Sequence, residues 1–475
     1  MIGLSSKILS AFALLLLAAA AARAEGLPRG EVVAKVVAAS DPSHSYALYL
    51  PASYTPAKKW PILYAFDPVA RGAVPVERYK AAAERFGWIV VGSNNSRNGP
   101  MQASLEAARV LWDDTHARFS VDERRHYATG FSGGARVATS LGLVCEGCFA
   151  GVVAHGAGFN PRADLTKRPP FAFFGAVGRD DYNFLELVRL DETLAKLDAT
   201  RRVVTFDGAH QWATPEVCEE SVAWMELQAM RAGARARDDA LVSELWSKEL
   251  ARARAAEASG DLYAALRRFR SAAEGFAGLR DVAEAESHAT RLAATKEARR
   301  GREDERGEID KQEDYAGRIR LLAASRRSPR VVEDESFAPS ISNTTFNELV
   351  SMLRKQAAQE RDTSERRVAR RTLGATFAQF YEAAERLRRE GREPADAVHY
   401  MQVAAELAPD NPHVLFELAA AYAANRQKRQ AVETLARAVE RGFSDAERLA
   451  AEKSFDAMRS AEDFRRVAAR VGAKR

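Results

Sequence analysis

The first half of the chain alternates between short apolar runs and longer stretches that carry apolar residues at helical spacing. The short runs predict strands, and the stretches between them predict helices. Strands that alternate with helices in this way form right-handed βαβ units and a mostly parallel, doubly wound α/β sheet. The predicted strands are 31–37, 45–51, 60–66, 88–92, 125–128, 150–154, 171–177 and 202–206, and the predicted helices are 76–86, 104–119, 135–141, 182–197 and 215–232.

The strand pattern disappears at about Arg235, where alanine, arginine, glutamate and leucine begin to dominate. This composition predicts an all-α second half. Residues 299–318 form a dense run of mixed charge, which is either a solvated helix or a flexible linker. Residues 325–345 contain Pro329, Pro339 and several serines, and therefore predict a loop.

The last hundred residues contain a repeat, in which Ala431 follows Ala397 by 34 residues, as Ala438 follows Ala404. Small residues at fixed helical positions let paired helices approach, and one such unit cannot bury its apolar face alone. The spacing resembles that of the tetratricopeptide repeat family, whose first-helix positions for large, large, small and aromatic residues are matched by Leu415, Leu418, Ala419 and Tyr422. A weaker copy lies at residues 260–272. The alternative for both copies is an alanine-rich helical bundle.

The N-terminal residues have the three parts of a secretion signal. Lys7 supplies the positive charge, residues 8–22 are apolar, and Ala22-Arg23-Ala24 fits an A-x-A cleavage site. The apolar run is shorter than the roughly 18 residues that a membrane span needs. The sequence therefore predicts a signal peptide over residues 1–24 and an exported protein, either periplasmic or secreted. A retained N-terminal anchor is the alternative.

The composition indicates which classes of partner to expect and whether the cysteines form a disulfide. A chain of 475 residues that is 47% hydrophobic and 28% charged is typical of a globular protein with more than one domain. The net charge is +5, but no basic run is interleaved with aromatic residues, so nucleic-acid binding is not indicated. The three cysteines of an exported protein predict one disulfide, either between Cys145 and Cys148 or from one of them to Cys218.

The candidate chemistry begins at Gly130-Phe131-Ser132-Gly133-Gly134, a Gly-x-Ser-x-Gly pattern between a predicted strand and a predicted helix. A nucleophile elbow requires this context, since the serine lies on a strained turn and the glycines let the backbone pass close to its neighbours. The alternative is a glycine-rich turn that happens to contain a serine.

An acid and a histidine follow the elbow at the positions that the chain order of such a sheet requires. The strand over 171–177 is followed by Asp180 and Asp181, and the strand over 202–206 is followed by His210. A serine nucleophile needs a base that accepts its proton and an acid that orients the base. The carboxyl ends of parallel strands meet at one edge of the sheet, so we expect these side chains to lie together.

These motifs (the elbow, Gly178-x-x-Asp181 and Gly208-Ala209-His210) resemble the α/β-hydrolase family over residues 25 to about 235. The branch with the greatest resemblance is that of small secreted esterases related to polyhydroxybutyrate depolymerases and feruloyl esterases. The resemblance implies that Ser132 is the nucleophile, His210 the general base and Asp181 the acid, with Asp180 as the alternative acid. No cofactor and no metal are expected. Of the remaining histidines before His210, His126 and His155 are interpreted as structural. His44 and His116 lie too early in the chain to be the general base.

The resemblance also implies an oxyanion hole, in which one donor is the main-chain amide of Gly133. In the esterase branch the second amide follows a His-Gly pair after the third strand. This chain has Asp67-Pro68-Val69 there, and proline has no amide proton. The second donor is therefore expected to be the amide of Asp67 or of Val69, unless it is missing.

Polar residues 93–99 follow the fourth predicted strand at the same edge, so Asn94 and Asn95 are candidate pocket residues. Trp212 is another candidate for the pocket wall. The alternatives are a turn that caps the next helix and packing of Trp212 against the C-terminal helix of the sheet domain. The short connection between residues 154 and 171 leaves little room for a lid, which predicts an open cleft.

The sequence thus predicts a signal peptide (1–24), an α/β-hydrolase domain (25–235), a helical region that is either repeat-like or not (236–300), a charged helix or linker (301–345) and a tetratricopeptide-like domain (346–475). The hypothesis is an exported serine esterase that cleaves carboxylic esters and binds a protein partner, or a second copy of itself, through its C-terminal repeats. One alternative is a hydrolase-fold scaffold with weak or no activity, whose repeats carry the function. The other is a serine peptidase on the same fold.

Overall fold

The computed structural model describes residues 26–327 and 345–472. The chain divides into two compact units, one that reaches to Arg306 and one that starts at Gly307. The predicted signal peptide and most of the predicted loop at 325–345 lie outside the described residues. Within the described ranges, no helix has both the length and the apolar character needed to cross a bilayer.

The first unit is built on an eight-stranded sheet. Its strands are β1 (Val32–Val37), β2 (Ser45–Tyr49), β3 (Trp60–Phe66), β4 (Ile89–Ser93), β5 (Val121–Phe131), β6 (Gly151–His155), β7 (Ala172–Gly178) and β8 (Arg201–Phe206). The strand order is β1-β2-β4-β3-β5-β6-β7-β8. The pairs β1–β2 and β2–β4 are antiparallel, and all the other pairs are parallel. This is the strand order of the α/β-hydrolase fold, and the prediction of a mostly parallel, doubly wound sheet is confirmed.

Five helices accompany the sheet. They are α1 (Ala73–Phe86), α2 (Met101–Arg118), α3 (Gly133–Val144), α4 (Phe184–Lys196) and α5 (Pro215–Arg231). Strands β3, β4, β6 and β7 are buried along their whole length, as expected where helices cover both faces of a parallel sheet. In β3, Ile62 and Tyr64 join the core on one face and Leu63 joins the core on the other. The sheet thereby fixes the positions of the loops at its carboxyl edge.

Strand β5 begins at Val121, four residues before its predicted start. Its first part carries consecutive charged residues, which hide the apolar pattern of a strand. The pairing with β3 is also irregular here, since Trp60 pairs with Val121 and Ile62 with His126. Local sequence pattern therefore finds only the regular part of this strand.

The first unit continues past the predicted boundary near Arg235. Helices α6 (Asp239–Ala258), α7 (Leu262–Phe276) and α8 (Ala283–Ala293) share an apolar core with α5. Leu227 and Met230 on α5 pack in that core with residues such as Trp246 on α6 and Phe269 on α7. The composition changes near Arg235, but α5 has a second apolar side that these helices cover.

The division between the units falls within helix α9 (Lys296–Arg327), which contains the mixed-charge run. The helical alternative for that run is therefore the one observed. The second unit continues with α10 (Phe346–Ala357), α11 (Ser364–Glu390), α12 (Pro394–Leu407), α13 (Pro412–Ala424), α14 (Lys428–Glu440), α15 (Ala446–Ala451), a 3₁₀ helix (Lys453–Met458) and α16 (Glu462–Ala468). The four alanines of the predicted repeat, Ala397, Ala404, Ala431 and Ala438, are buried where these helices pack.

The three cysteines give one disulfide and one thiol. Cys145 and Cys148 are joined at the end of α3, with their Cα atoms 5.5 Å apart. Cys218 is buried in α5, and burial raises the pKa of its thiol to about 12. Of the two predicted pairings, the structure therefore has the bridge within the Cys145–Cys148 pair.

Candidate active site

Ser132 lies on a tight turn between the end of β5 and the start of α3. Its φ of 53° and ψ of −120° fall outside the regions that non-glycine residues normally occupy. Such a conformation costs about 1–3 kcal/mol and persists only where the surroundings impose it. A Cβ atom on Gly130 would lie 2.1 Å from the Gly134 carbonyl oxygen, and one on Gly134 would lie 1.9 Å from that of Phe66. Both glycines of the pattern are therefore required by close backbone approach.

His210 joins Ser132 to Asp181. The Nε2 atom of His210 lies 2.9 Å from Ser132 Oγ, and its Nδ1 atom lies 2.9 Å from Asp181 Oδ1. A carboxylate only accepts hydrogen bonds, so the Nδ1–H donates to Asp181 and Nε2 is left to accept from the serine hydroxyl. The imidazole is thus held in the tautomer that can take a proton from Ser132.

Two glycines bring the loop with the acid against the loop with the histidine. A Cβ atom on Gly178 would lie 2.3 Å from the Gly208 carbonyl oxygen, so only glycine fits there. The Asp180 amide donates to that same carbonyl at 2.9 Å. The spacings Gly178-x-x-Asp181 and Gly208-Ala209-His210 therefore follow from the contact between the two loops.

The carboxylate of Asp181 is fully buried, and its Oδ1 atom accepts two hydrogen bonds. The Asn183 amide donates to its Oδ1 atom at 2.8 Å, and the Asn183 side chain donates to the Gly156 carbonyl at 2.7 Å. The His210 ring lies between Phe131 and Tyr182, with ring centroids 4.5 and 4.0 Å away. Of the two aspartates that the sequence offered, Asp181 is the one whose side chain reaches His210.

His155 and His126 are both buried and lie outside the hydrogen-bonded chain that joins Ser132, His210 and Asp181. The His155 carbonyl accepts the Ser132 amide at 2.8 Å, and its ring lies 2.8 Å from the Tyr79 hydroxyl. Burial lowers the pKa of His155 to about 3, and burial with the nearby His116 lowers that of His126 to about 4. Both imidazoles are therefore neutral at neutral pH.

The Asp67 carboxylate is fully buried and accepts hydrogen bonds from Val69, Arg71 and Trp212. Burial alone would raise its pKa, but hydrogen bonds from Arg71, Trp212 and the Val69 amide outweigh burial and lower that pKa. The Val69 N–H donates to Asp67 Oδ1 at 3.0 Å, and Trp212 Nε1–H donates to Oδ2 at 2.9 Å. The Val69 amide, one of the two candidates for the second oxyanion donor, is therefore engaged in this turn.

Trp212 and the two candidate asparagines have structural contacts that the sequence did not reveal. Trp212 is buried, and its indole N–H is used by Asp67. Asn94 accepts the Gly72 amide and donates to the Ala34 carbonyl, while Asn95 accepts the Ser45 amide. The two asparagines thus hold the loop after β3 and the β1–β2 edge, and their pocket role stays a prediction. Their partners are far away in the chain, so the local pattern could not identify them.

Asn98, in the same polar loop, is the side chain that reaches the elbow. A Cβ atom on Gly133 would lie 1.8 Å from Asn98 Oδ1, so this side chain lies directly against Gly133. The Asn98 amide donates to the Pro68 carbonyl at 2.7 Å, and Val69 and Arg97 form an antiparallel bridge. These contacts join the loops after β3 and β4 beside the serine. The sequence indicated the loop but not which of its asparagines faces the site.

Removal of the Asp67 side chain is expected to destabilise the protein. In Asp67→Ala the buried Trp212 N–H loses its acceptor, and we expect the free energy of unfolding in urea at pH 7 to fall by about 2 kcal/mol. The pKa of Asp67 is lower in the folded protein than in the unfolded chain, where it is near 4. The stabilisation that Asp67 provides is therefore fully present above about pH 4 and is lost as the pH falls below that value. The difference in the free energy of unfolding between wild type and Asp67→Ala should therefore become smaller below about pH 4.

The matched control is Asp207→Ala, because the Asp207 side chain is 94% exposed. We expect this variant to stay within about 0.5 kcal/mol of wild type. An Asp67→Ala variant as stable as Asp207→Ala would contradict the role given to the buried carboxylate.

Comparison with known protein families finds the tetratricopeptide repeat, whose family model matches residues 389–453. The match covers helices α12, α13 and α14 and confirms the repeat that the 34-residue spacing predicted at the C-terminus. No curated protein matches the sequence.

Several solved structures resemble part of the chain. An S-formylglutathione hydrolase from Staphylococcus aureus is 14% identical, with a TM-score of 0.34, and the alignment covers 42% of this chain and 98% of that one. A ferulic acid esterase is 18% identical, with a TM-score of 0.33 and coverage of 40% and 95%. The feruloyl esterase module from Clostridium thermocellum, solved with sinapinate, is 14% identical, with a TM-score of 0.33 and coverage of 40% and 85%.

Proposed function

We propose that this protein is an exported serine hydrolase that cleaves carboxylic esters, with Ser132 as nucleophile, His210 as general base and Asp181 as the acid that orients it. The observation that carries the proposal is the continuous hydrogen-bonded chain from Ser132 Oγ through His210 to the buried Asp181 carboxylate, with 2.9 Å at both links. That chain begins at a strained turn that presents the serine at the carboxyl edge of the sheet. This arrangement is the one that acyl transfer requires.

The first half-reaction acylates the serine. Ser132 Oγ bonds to the ester carbonyl carbon while its proton passes to His210 Nε2. The tetrahedral intermediate then collapses, the bond to the alcohol oxygen breaks, and the leaving alkoxide takes the proton from His210. The Asp181 carboxylate stabilises the imidazolium that exists between these two steps.

The second half-reaction releases the acid. A water molecule gives a proton to His210 Nε2 as its oxygen attacks the acyl carbon, and the intermediate collapses with return of that proton to Ser132 Oγ. The products are one carboxylic acid and one alcohol, and the enzyme returns to its starting state.

The amide of Gly133 is the first proposed oxyanion donor, since it lies at the start of α3 directly after the nucleophile. The Val69 amide already donates to Asp67, which leaves the Asp67 amide as the remaining candidate for the second donor. The Asp67 carboxylate is paired with Arg71 and accepts a hydrogen bond from Trp212, so its negative charge is compensated by these partners.

An open cleft supports a soluble ester or the end of a polymer as substrate. Residues 156–171, which connect β6 and β7, contain no helix or strand that could form a lid. The Val69 side chain, in the loop beside the serine, is 58% exposed. An accessible serine with little apolar cover favours such esters over a long buried lipid chain.

A substrate panel tests the proposed activity. We expect wild-type protein to hydrolyse p-nitrophenyl acetate and longer p-nitrophenyl acyl esters, and to leave an aminoacyl p-nitroanilide uncleaved. Turnover of the anilide as fast as the esters would favour the peptidase alternative. Failure to hydrolyse any of them would favour the scaffold alternative, to which the engaged Val69 amide gives some support.

For the second unit we propose binding of a protein partner or of a second copy of the chain. A groove of about 400 Å³ lies among α10, α12, α13 and α14, and its lining includes Phe346, Val350, Arg354, Gln402, Tyr422 and Arg437. The lining also includes Glu406, and this mixture of apolar, amide and charged groups suits a peptide segment. Export is supported by the N-terminal pattern and by the Cys145–Cys148 disulfide, a bond that persists in oxidising compartments.

A further inference from the structure

A cluster of three potential ligands lies at the beginning of β5, far from the serine. It consists of His116 in the last turn of α2 and of Glu123 and His126 on β5. His126 precedes Ser132 by six residues of nearly extended chain, which corresponds to about 20 Å. The proposed hydrolytic mechanism uses none of the three side chains.

The ligand atoms of the three residues converge on one point. The Nε2 atoms of His116 and His126 lie 3.0 Å apart. Glu123 Oε2 lies 3.7 Å from the first of these nitrogens and 3.9 Å from the second. For a metal ion at about 2.05 Å from both nitrogens, the N–metal–N angle would be about 95°. A modest movement of Glu123 would bring its carboxylate into contact with the same ion. The Glu123 side chain is 68% exposed and has the freedom to make this movement.

The two imidazole rings are held in place by their neighbours. His116 Nδ1 lies 2.8 Å from the Trp112 carbonyl, and only an N–H can donate to a carbonyl, so Nδ1 carries the proton. The lone pair of His116 Nε2 is therefore directed at His126. The Trp112 indole stacks near both rings, with centroids 4.4 Å from each. His116 thus has the hydrogen bond from the other ring nitrogen to a carbonyl that orients ligating histidines in metal sites, whereas His126 Nδ1 is buried without a hydrogen-bond partner.

We propose that His116, Glu123 and His126 bind a divalent transition-metal ion such as Zn²⁺, at the edge of the sheet opposite the serine. Two imidazoles and one carboxylate suit zinc and its neighbours in the first transition row, whereas calcium and magnesium prefer oxygen ligands alone. The remaining coordination positions face solvent, because Glu123 is exposed and His116 is partly so. The ion would join the end of α2 to the beginning of β5.

The test is a calorimetric titration of zinc chloride into the full-length protein, prepared without a polyhistidine tag and stripped of metal. We expect wild type to bind one equivalent at this site, and His116→Ala and Glu123→Gln each to lose at least tenfold in affinity. Because the ligands lie on two different elements, zinc should also raise the melting temperature of wild type and raise it less in both variants.

Two controls make the result decisive. His413→Ala removes an exposed histidine on α13 and should bind zinc as wild type does. Glu123 is exposed, so Glu123→Gln keeps the test valid if His116→Ala fails to fold. Equal zinc affinity in wild type and in Glu123→Gln, or no binding by wild type, would overturn the proposal and leave a simple hydrogen bond between the two histidines. This outcome is independent of ester hydrolysis.

Discussion

Replacement of Ser132 by alanine is expected to lower kcat for ester hydrolysis by at least about 10⁴-fold. The substitution removes Ser132 Oγ, the hydroxyl oxygen that lies 2.9 Å from His210 Nε2 and whose proton this nitrogen accepts. Without Oγ no acyl-enzyme can form, and any remaining turnover depends on water and on the oxyanion donors. The measurement is the steady-state hydrolysis of p-nitrophenyl acetate.

Ser140→Ala is the matched control, since Ser140 lies two turns further along the same helix α3. We expect it to retain the wild-type rate. If Ser132→Ala also retained most of the activity while folding normally, another nucleophile would be responsible and the proposed role of Ser132 would be wrong.

Replacement of Asp181 by asparagine is expected to lower kcat by about 10²- to 10⁴-fold, with a much smaller change in KM. Asp181 Oδ1 accepts from both His210 Nδ1 and the Asn183 amide, and an asparagine oxygen at that position could keep both bonds. The histidine would then keep its orientation and lose the negative charge that stabilises its protonated form. A neutral amide beside His210 thus tests the electrostatic part of the mechanism.

The neighbouring Asp180 provides the control for this substitution. It was the alternative acid from sequence, but the observed hydrogen bond from His210 Nδ1 is accepted by Asp181. We expect Asp180→Asn to change kcat by no more than a few-fold. A loss in Asp180→Asn as large as that in Asp181→Asn would mean that the acid is not specified by the observed hydrogen bond.

The sheet was predictable because its strands have strong local patterns. Runs such as Trp60–Phe66 and Ala172–Gly178 are buried on both faces, so they read as continuous apolar segments. The first residues of β5 are charged and irregularly paired, so the strand seemed to begin later than Val121. The covering of α5 by α6 and α7 was not predictable, because it depends on packing between distant segments rather than on the composition near Arg235.

The site residues likewise fall into two groups, those that local sequence motifs identify and those whose roles depend on partners far away in the sequence. Ser132, Asp181 and His210 follow strands of a known order, and glycines at fixed spacing mark their loops, so the sequence was sufficient to nominate them. The roles of Trp212 and Asn94 depend on partners 145 and 22 residues away, respectively. A polar or aromatic residue near a catalytic loop is equally compatible with a pocket and with a structural contact until those partners are known.

The central claim, that Ser132 is an activated nucleophile, is tested most directly by labelling with a fluorophosphonate probe, which reacts with serines that have an adjacent base. Wild-type protein should incorporate one probe, peptide mass spectrometry should locate it on Ser132, and Ser132→Ala should incorporate none while Ser140→Ala labels as wild type does. Absence of labelling in folded wild-type protein, or labelling at another residue, would contradict the account.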